Sequence, residues 1–134
     1  MSEKKQIFWK FHLPAIFWAL IILLLCGIPG NKIPELTFLE WLNPDKFVHL
    51  ILFGVLCILL LKGFERQNYS RALNKNAIFL ALTLCIIYGC IIEILQEYFF
   101  INRSGDVRDA VANLFGTLFG LWVYKRYFGK TVNS

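Results

Sequence analysis

Four apolar stretches, Leu13–Ile28, Phe47–Leu61, Ala77–Leu95 and Ala110–Tyr124, divide this 134-residue chain, and polar segments separate them. Nothing else in the sequence restricts the fold as much. An apolar run near twenty residues is what a helix needs to cross a bilayer. Inside lipid, only a helix or a closed barrel satisfies its own backbone. The composition agrees: 57% of the residues are hydrophobic and the mean hydropathy is +0.58, whereas soluble domains run nearer 45–50% apolar. The fold class expected is therefore all-α, a four-helix transmembrane bundle in one domain over residues 1–134. Its spans fall at about 11–28, 45–64, 77–96 and 106–125.

The charges sort onto two faces once four spans are drawn. The N-terminus, the 62–76 loop and the C-terminus hold Lys4, Lys5, Lys10, Lys62, Arg66, Arg71, Lys75, Lys125, Arg126 and Lys130, against Glu3 and Glu65. The opposite face holds Glu35, Glu40, Asp45, Glu93, Glu97, Asp106 and Asp109, with Lys32, Lys46, Arg103 and Arg108. Ten bases against four predict that both termini lie in the cytoplasm. The net charge of +5 is thus an orientation signal in short loops. It does not make the stripe that a nucleic-acid partner would need.

The first run begins after a basic segment, as a secretory signal would. Cys26-Gly27-Ile28-Pro29 lacks a small-x-small cleavage site, and large Leu25 precedes Cys26 where a lipid-attachment box requires a small residue. The run is expected to remain as a span, starting at Pro14, a favoured first-turn residue. Trp9, Phe11 and Trp18 are expected at the cytoplasmic interface. Asn43 or Asp45 is expected to cap span two. The cysteines, Cys26, Cys57, Cys85 and Cys90, all lie in apolar runs without CxxC spacing and read as small hydrophobes; a Cys26–Cys90 disulfide at the outer end is a minor alternative.

Spans two and four are short. As apolar runs each has fifteen residues, so reaching bilayer length draws polar residues onto their outer ends. Asp45 and His49 are then one helical turn apart, with Lys46 between. Glu93 faces Gln96 and Glu97, and Asp106, Asp109 and Asn113 step by three and four along one face. Gly116 and Gly120 continue that face and would allow another helix to approach closely. Three helices are thus expected to converge Asp45, Lys46, His49, Glu93, Gln96, Asp109 and Asn113 on one outward-facing pocket, with Arg103 and Asp106 above it. One reading is interhelical polar glue. The other is a working site, the usual meaning of ionisable groups at membrane depth. His49, Glu93 and Asp109 are the candidates for acid–base chemistry. Asp, Glu and His could together hold a divalent cation, though no spacing here is diagnostic of a metal, and no cofactor is indicated.

Asp45-Lys46-x2-His49-x3-Phe53, Glu93-x2-Gln96 and Arg103-x2-Asp106-x2-Asp109-x3-Asn113-x2-Gly116-x3-Gly120 together resemble the VanZ-like family of small bacterial membrane proteins, over roughly residues 13–126. The resemblance implies a multi-span inner-membrane protein and a possible link to teicoplanin-type glycopeptide resistance, the setting from which the family takes its name. Some members of the family would be expected to carry a proline just before the arginine; here Phe100-Ile101-Asn102 stands instead. Expected partners are membrane lipid and a lipid-linked or anionic ligand anchored by Arg103. The pocket would bind a lipid headgroup, wall precursor or lipopeptide, or process a lipid-linked substrate as an enzyme. Transport would require a homo-oligomer to complete a path.

Overall fold

The computed structural model describes residues 2–29 and 44–129, and among these the protein is helical throughout, with no strand. The helices are α1 (Glu3–Cys26), α2 (Pro44–Arg66), α3 (Arg71–Lys75), α4 (Ala77–Tyr98) and α5 (Val107–Tyr127). α1, α2 and α4 are each long and apolar enough to cross a membrane. α5 has 21 residues, which at about 1.5 Å per residue also reaches across a bilayer core. Charged residues sit at both of its ends: Arg108 and Asp109 at one, Lys125 and Arg126 at the other.

Both short apolar runs are extended, as bilayer length requires. α2 has 23 residues and carries Asp45, Lys46 and His49 in its first turns. Pro44 opens it at a position where a missing N–H costs nothing; Asn43, expected as a cap, lies outside the described residues. Asp106 caps α5 by accepting the Arg108 N–H at 2.8 Å.

α1 departs from expectation. It starts at Glu3 and not near residue 11, so Pro14 lies inside the helix. Packing explains the extra turns. The Phe8 ring lies 5.6 Å from Tyr69, and His12 meets Phe64 edge-on at 5.1 Å. Trp18 lies well inside α1. Its indole N–H, which needs an acceptor when removed from water, donates to the Leu52 carbonyl at 3.0 Å.

α2 is the centre of the bundle and touches every other helix, most extensively α5. Half of its most apolar 18 residues are buried, against 22% for α4 and 17% for α1. Leu52, Phe53, Leu56, Cys57 and Leu61 of α2 form the core with Ile22, Ala81, Cys85, Ile92 and Tyr124. The outer faces carry exposed Phe17, Leu20, Leu24, Phe79, Ile87, Ile94, Phe115, Phe119 and Trp122. So many large apolar side chains around a small bundle need a non-aqueous neighbour. All four cysteines are free; Cys26, Cys57 and Cys85 are buried and Cys90 is exposed.

The α2–α5 contact is backbone on backbone. A Cβ at Gly116 would overlap the Leu50 carbonyl, and one at Gly120 would overlap the Gly54 carbonyl. From the other side, a Cβ at Gly54 would lie 3.1 Å from the Gly116 carbonyl oxygen. Below this crossing Tyr124 donates its hydroxyl to Glu65 Oε2 at 2.8 Å, and the Lys62 ammonium lies 4.1 Å from the Phe128 ring centre. The close crossing fixes the heights of α2 and α5, and with them the side chains on the polar end.

Candidate functional site

His49 and Asn113 define the floor of the polar end. Both are buried, at 4% and 3% exposure. The His49 Nδ1–H donates to Asn113 Oδ1 at 2.9 Å. An amide oxygen can only accept, so Nδ1 carries the proton. Thr117 in turn donates its hydroxyl to the Asn113 carbonyl at 2.8 Å. Asp45, one turn before His49, instead points outward, with its side chain 60% exposed and one oxygen 4.0 Å from Arg103 Nη1.

Lys46 ties α2 to α5 above this pair. Its ammonium donates to Asp109 Oδ1 at 3.2 Å and lies 3.6 Å from Asp106 Oδ2. Asp106 lies just outside α5, where the Arg108 backbone N–H, helped by the Lys46 and Arg108 charges, holds its carboxyl below the usual carboxylate range despite some desolvation.

Two α4 carboxylates clamp the loop that connects α4 to α5. Glu93 Oε2 accepts the Asp106 N–H at 3.1 Å, and Glu97 Oε2 accepts the Gly105 N–H at 2.8 Å. Gly105 packs so close to α4 that a Cβ there would come within 3.0 Å of the Glu93 carbonyl. Asn102 turns the loop with φ +52°. This is the left-handed region, which asparagine tolerates and which the proline ring, fixed near −65°, cannot enter. Asparagine at this point therefore suits the loop's conformation, and proline would not. Arg103 reaches back from the loop to α1, donating from Nε to the Ile28 carbonyl at 3.1 Å. Gln96 does the same lower down, donating from Nε2 to the Cys26 carbonyl at 3.3 Å.

The polar end thus gathers Lys46, His49, Glu93, Gln96, Arg103, Asp106, Asp109 and Asn113, with Asp45 at the rim. Three buried polar atoms in it have no hydrogen-bond partner among the described residues: Glu93 Oε1, Gln96 Oε1 and Asn113 Nδ2. Among the described residues, no three His, Cys, Asp or Glu side chains come together as a metal would require.

Some contributors are not in the sequence-based set. Glu97 was grouped with Glu93 by spacing, but its hold on Gly105 depends on the loop's path. Gly54 is the α2 partner of Gly120; as a lone glycine in mid-span it forms no pattern in the sequence. Gly89 leaves room for Asn113, whose Nδ2 would lie 3.4 Å from a Cβ there. His12, at the other end of the bundle, is also buried; its Nδ1–H donates to the Phe8 carbonyl at 2.8 Å and its ring rests against Gly63.

A helical bundle with three helices long and apolar enough to cross a membrane and an apolar exterior has the character of an integral membrane protein. Compared with known families, the chain matches VanZ/LLP1 over residues 6–129. It belongs to that family, and the match includes every residue of the polar end. Neither the curated proteins nor the solved structures contain a significant match.

Proposed function

We propose that this VanZ-family protein is a four-span protein of the bacterial inner membrane, with both termini cytoplasmic and a polar site open to the outer leaflet. The site binds the headgroup of a lipid, lipid-linked wall precursor or lipopeptide, and so alters susceptibility to teicoplanin-type glycopeptides. The orientation follows from the ten-to-four distribution of Lys and Arg between the two faces. α5 is the fourth span: its exposed Leu114, Phe115, Leu118, Phe119 and Trp122 would be solvated by lipid, and its charges fall at the two headgroup levels.

The observation that carries the binding reading is the set of three unpartnered buried atoms, Glu93 Oε1, Gln96 Oε1 and Asn113 Nδ2. A buried polar group without a hydrogen bond costs about 1–3 kcal/mol. Interhelical glue would be expected to satisfy itself, whereas a binding site keeps valence for its ligand. The enzyme reading draws less support. Asp109 is paired with Lys46, and His49 is oriented by a neutral amide and not by a carboxylate.

Glu93→Gln and Asp109→Asn test the site, because each removes charge at nearly constant shape. Lipoglycopeptide susceptibility in a sensitive host is measured beside thermal stability of the purified variants. A working site gives lost function in protein that inserts and melts normally. Full function in both variants, or loss only in step with unfolding, rules the site out.

A further inference from the structure

We propose that the ligand of this site is an outer-leaflet lipid with a primary ammonium head, which donates N–H bonds to Glu93 Oε1 and Gln96 Oε1 while one acyl chain lies in the groove between α4 and α5. The proposal rests on the binding reading above and names the class of lipid.

Charge comes first. Among the described residues, the end of the bundle that holds the site carries five acids, Asp45, Glu93, Glu97, Asp106 and Asp109, against three bases, Lys46, Arg103 and Arg108. Its net charge is negative, which favours a cation. The bases nearest the site are also engaged. Lys46 lies between Asp109 and Asp106, and Arg103 is held by the Ile28 carbonyl with Asp45 4.0 Å away. An anionic headgroup would have to displace these internal contacts.

The free valence agrees with the charge. Gln96 is 2% exposed; its Nε2 is used on the Cys26 carbonyl, which leaves Oε1 as a pure acceptor. Glu93 Oε2 is used on the Asp106 N–H, which leaves Oε1 likewise. These two oxygens stand one helical turn apart on α4, where side chains three residues apart are neighbours. A primary ammonium has three N–H donors and can serve both. Bonds from an ionised donor are about twice as strong as neutral ones.

The groove supplies the second observation. It has a volume of about 270 Å³ and is lined by Cys85, Gly89, Cys90, Val111, Asn113 and Thr117, among others. From Val107 to Thr117, both on its wall, α5 rises about 15 Å, a length suited to part of an extended acyl chain. The wall is apolar except for Thr117, whose hydroxyl is used on the Asn113 carbonyl, and Asn113, whose Nδ2 has no partner among the described residues. An ester carbonyl at that depth would accept this N–H. Because Asn113 is also bonded to His49, the groove and the polar site share a residue, and the proposal places the acyl chain on one side of it and the headgroup on the other.

The test uses the full chain, delipidated in detergent, with retention of added lipid read by native mass spectrometry and thermal shift. The probes are phosphatidylethanolamine, phosphatidylcholine (a cation without N–H donors), phosphatidylglycerol and free ethanolamine. Phosphatidylethanolamine should bind about tenfold or more tightly than the other three. Glu93→Gln should remove that preference, and Cys90→Trp, at an exposed position on the groove wall, should weaken lipid binding while sparing the headgroup order. If Glu93→Gln does not insert, Cys90→Trp and Gln96→Met carry the same comparison. Equal binding of phosphatidylcholine overturns the N–H assignment. Preference for phosphatidylglycerol that still depends on Asn113 overturns the ammonium and leaves the headgroup reading standing. Equal binding of free ethanolamine overturns the role of the groove. Lipid retention unaffected by Glu93, Gln96 and Asn113 substitutions overturns both this proposal and the binding reading.

Discussion

The His49–Asn113 bond makes the residue scale concrete. Asn113 is the only partner that fixes the His49 ring among the described contacts, and it does so from another helix, 64 residues away. Removing the amide strands a buried imidazole N–H, at a cost of about 1–3 kcal/mol. Asn113→Ala should therefore lower stability by about that amount in a denaturant titration of the detergent-solubilised protein. In the His49→Ala background the same substitution should cost less than 1 kcal/mol, since no donor remains to be stranded. Equal costs in the two backgrounds would show that the pair is not coupled. Neither residue's partner was legible in the sequence. Local spacing paired His49 with Asp45, because residues four apart share a helix face; the structure turns Asp45 to the rim and gives His49 a neutral amide.

At the scale of elements the α2–α5 crossing dominates. Its glycines act through absence of volume. Gly116 and Gly120 lie on the backbone of Leu50 and Gly54, so a side chain there has backbone and not a flexible group in its way. Gly120→Leu should separate α5 from α2 and cost about 1–3 kcal/mol or more, read as a lowered midpoint in SDS unfolding and reduced yield. Gly129→Ala is the control, because its nearest neighbour would be the Tyr124 carbonyl at an ordinary 3.7 Å, and it should leave the midpoint unchanged. A wild-type midpoint for Gly120→Leu would contradict the close approach. The small-residue stripe on α5 was visible in the sequence because it repeats at helical spacing. Its partner surface on α2 was not, since one glycine among large apolar residues carries no pattern.

At the scale of the whole molecule the open question is orientation. The orientation proposed from the charge distribution would put the α2–α4 connection, with α3, in the cytoplasm and the α4–α5 loop outside. In a cysteine-free background, Ser104→Cys should react with a membrane-impermeant maleimide in intact cells, and Asn68→Cys only after the membrane is permeabilised. Labelling of position 68 from outside would invert the topology and place the polar site in the inner leaflet.

The sequence by itself determined the helical class, the approximate extents of α2, α4 and α5, and the gathering of carboxylates at one end. These depend on run length and local charge, which the lipid solvent reads one segment at a time. The resemblance already legible in ordered polar residues from Asp45 to Gly120 is matched by family membership across nearly the whole chain. Tertiary structure decided the rest. It carried α1 back to Glu3 through Phe8 and His12 packing on Tyr69 and Phe64, gave the Trp18 indole the Leu52 carbonyl as its acceptor, and linked Arg103 to Ile28 and Lys46 to Asp109. It also left Glu93, Gln96 and Asn113 with unspent hydrogen-bonding capacity. Such pairings join residues 52 to 75 positions apart, and periodicity along one helix says which face a residue occupies but not what stands opposite it.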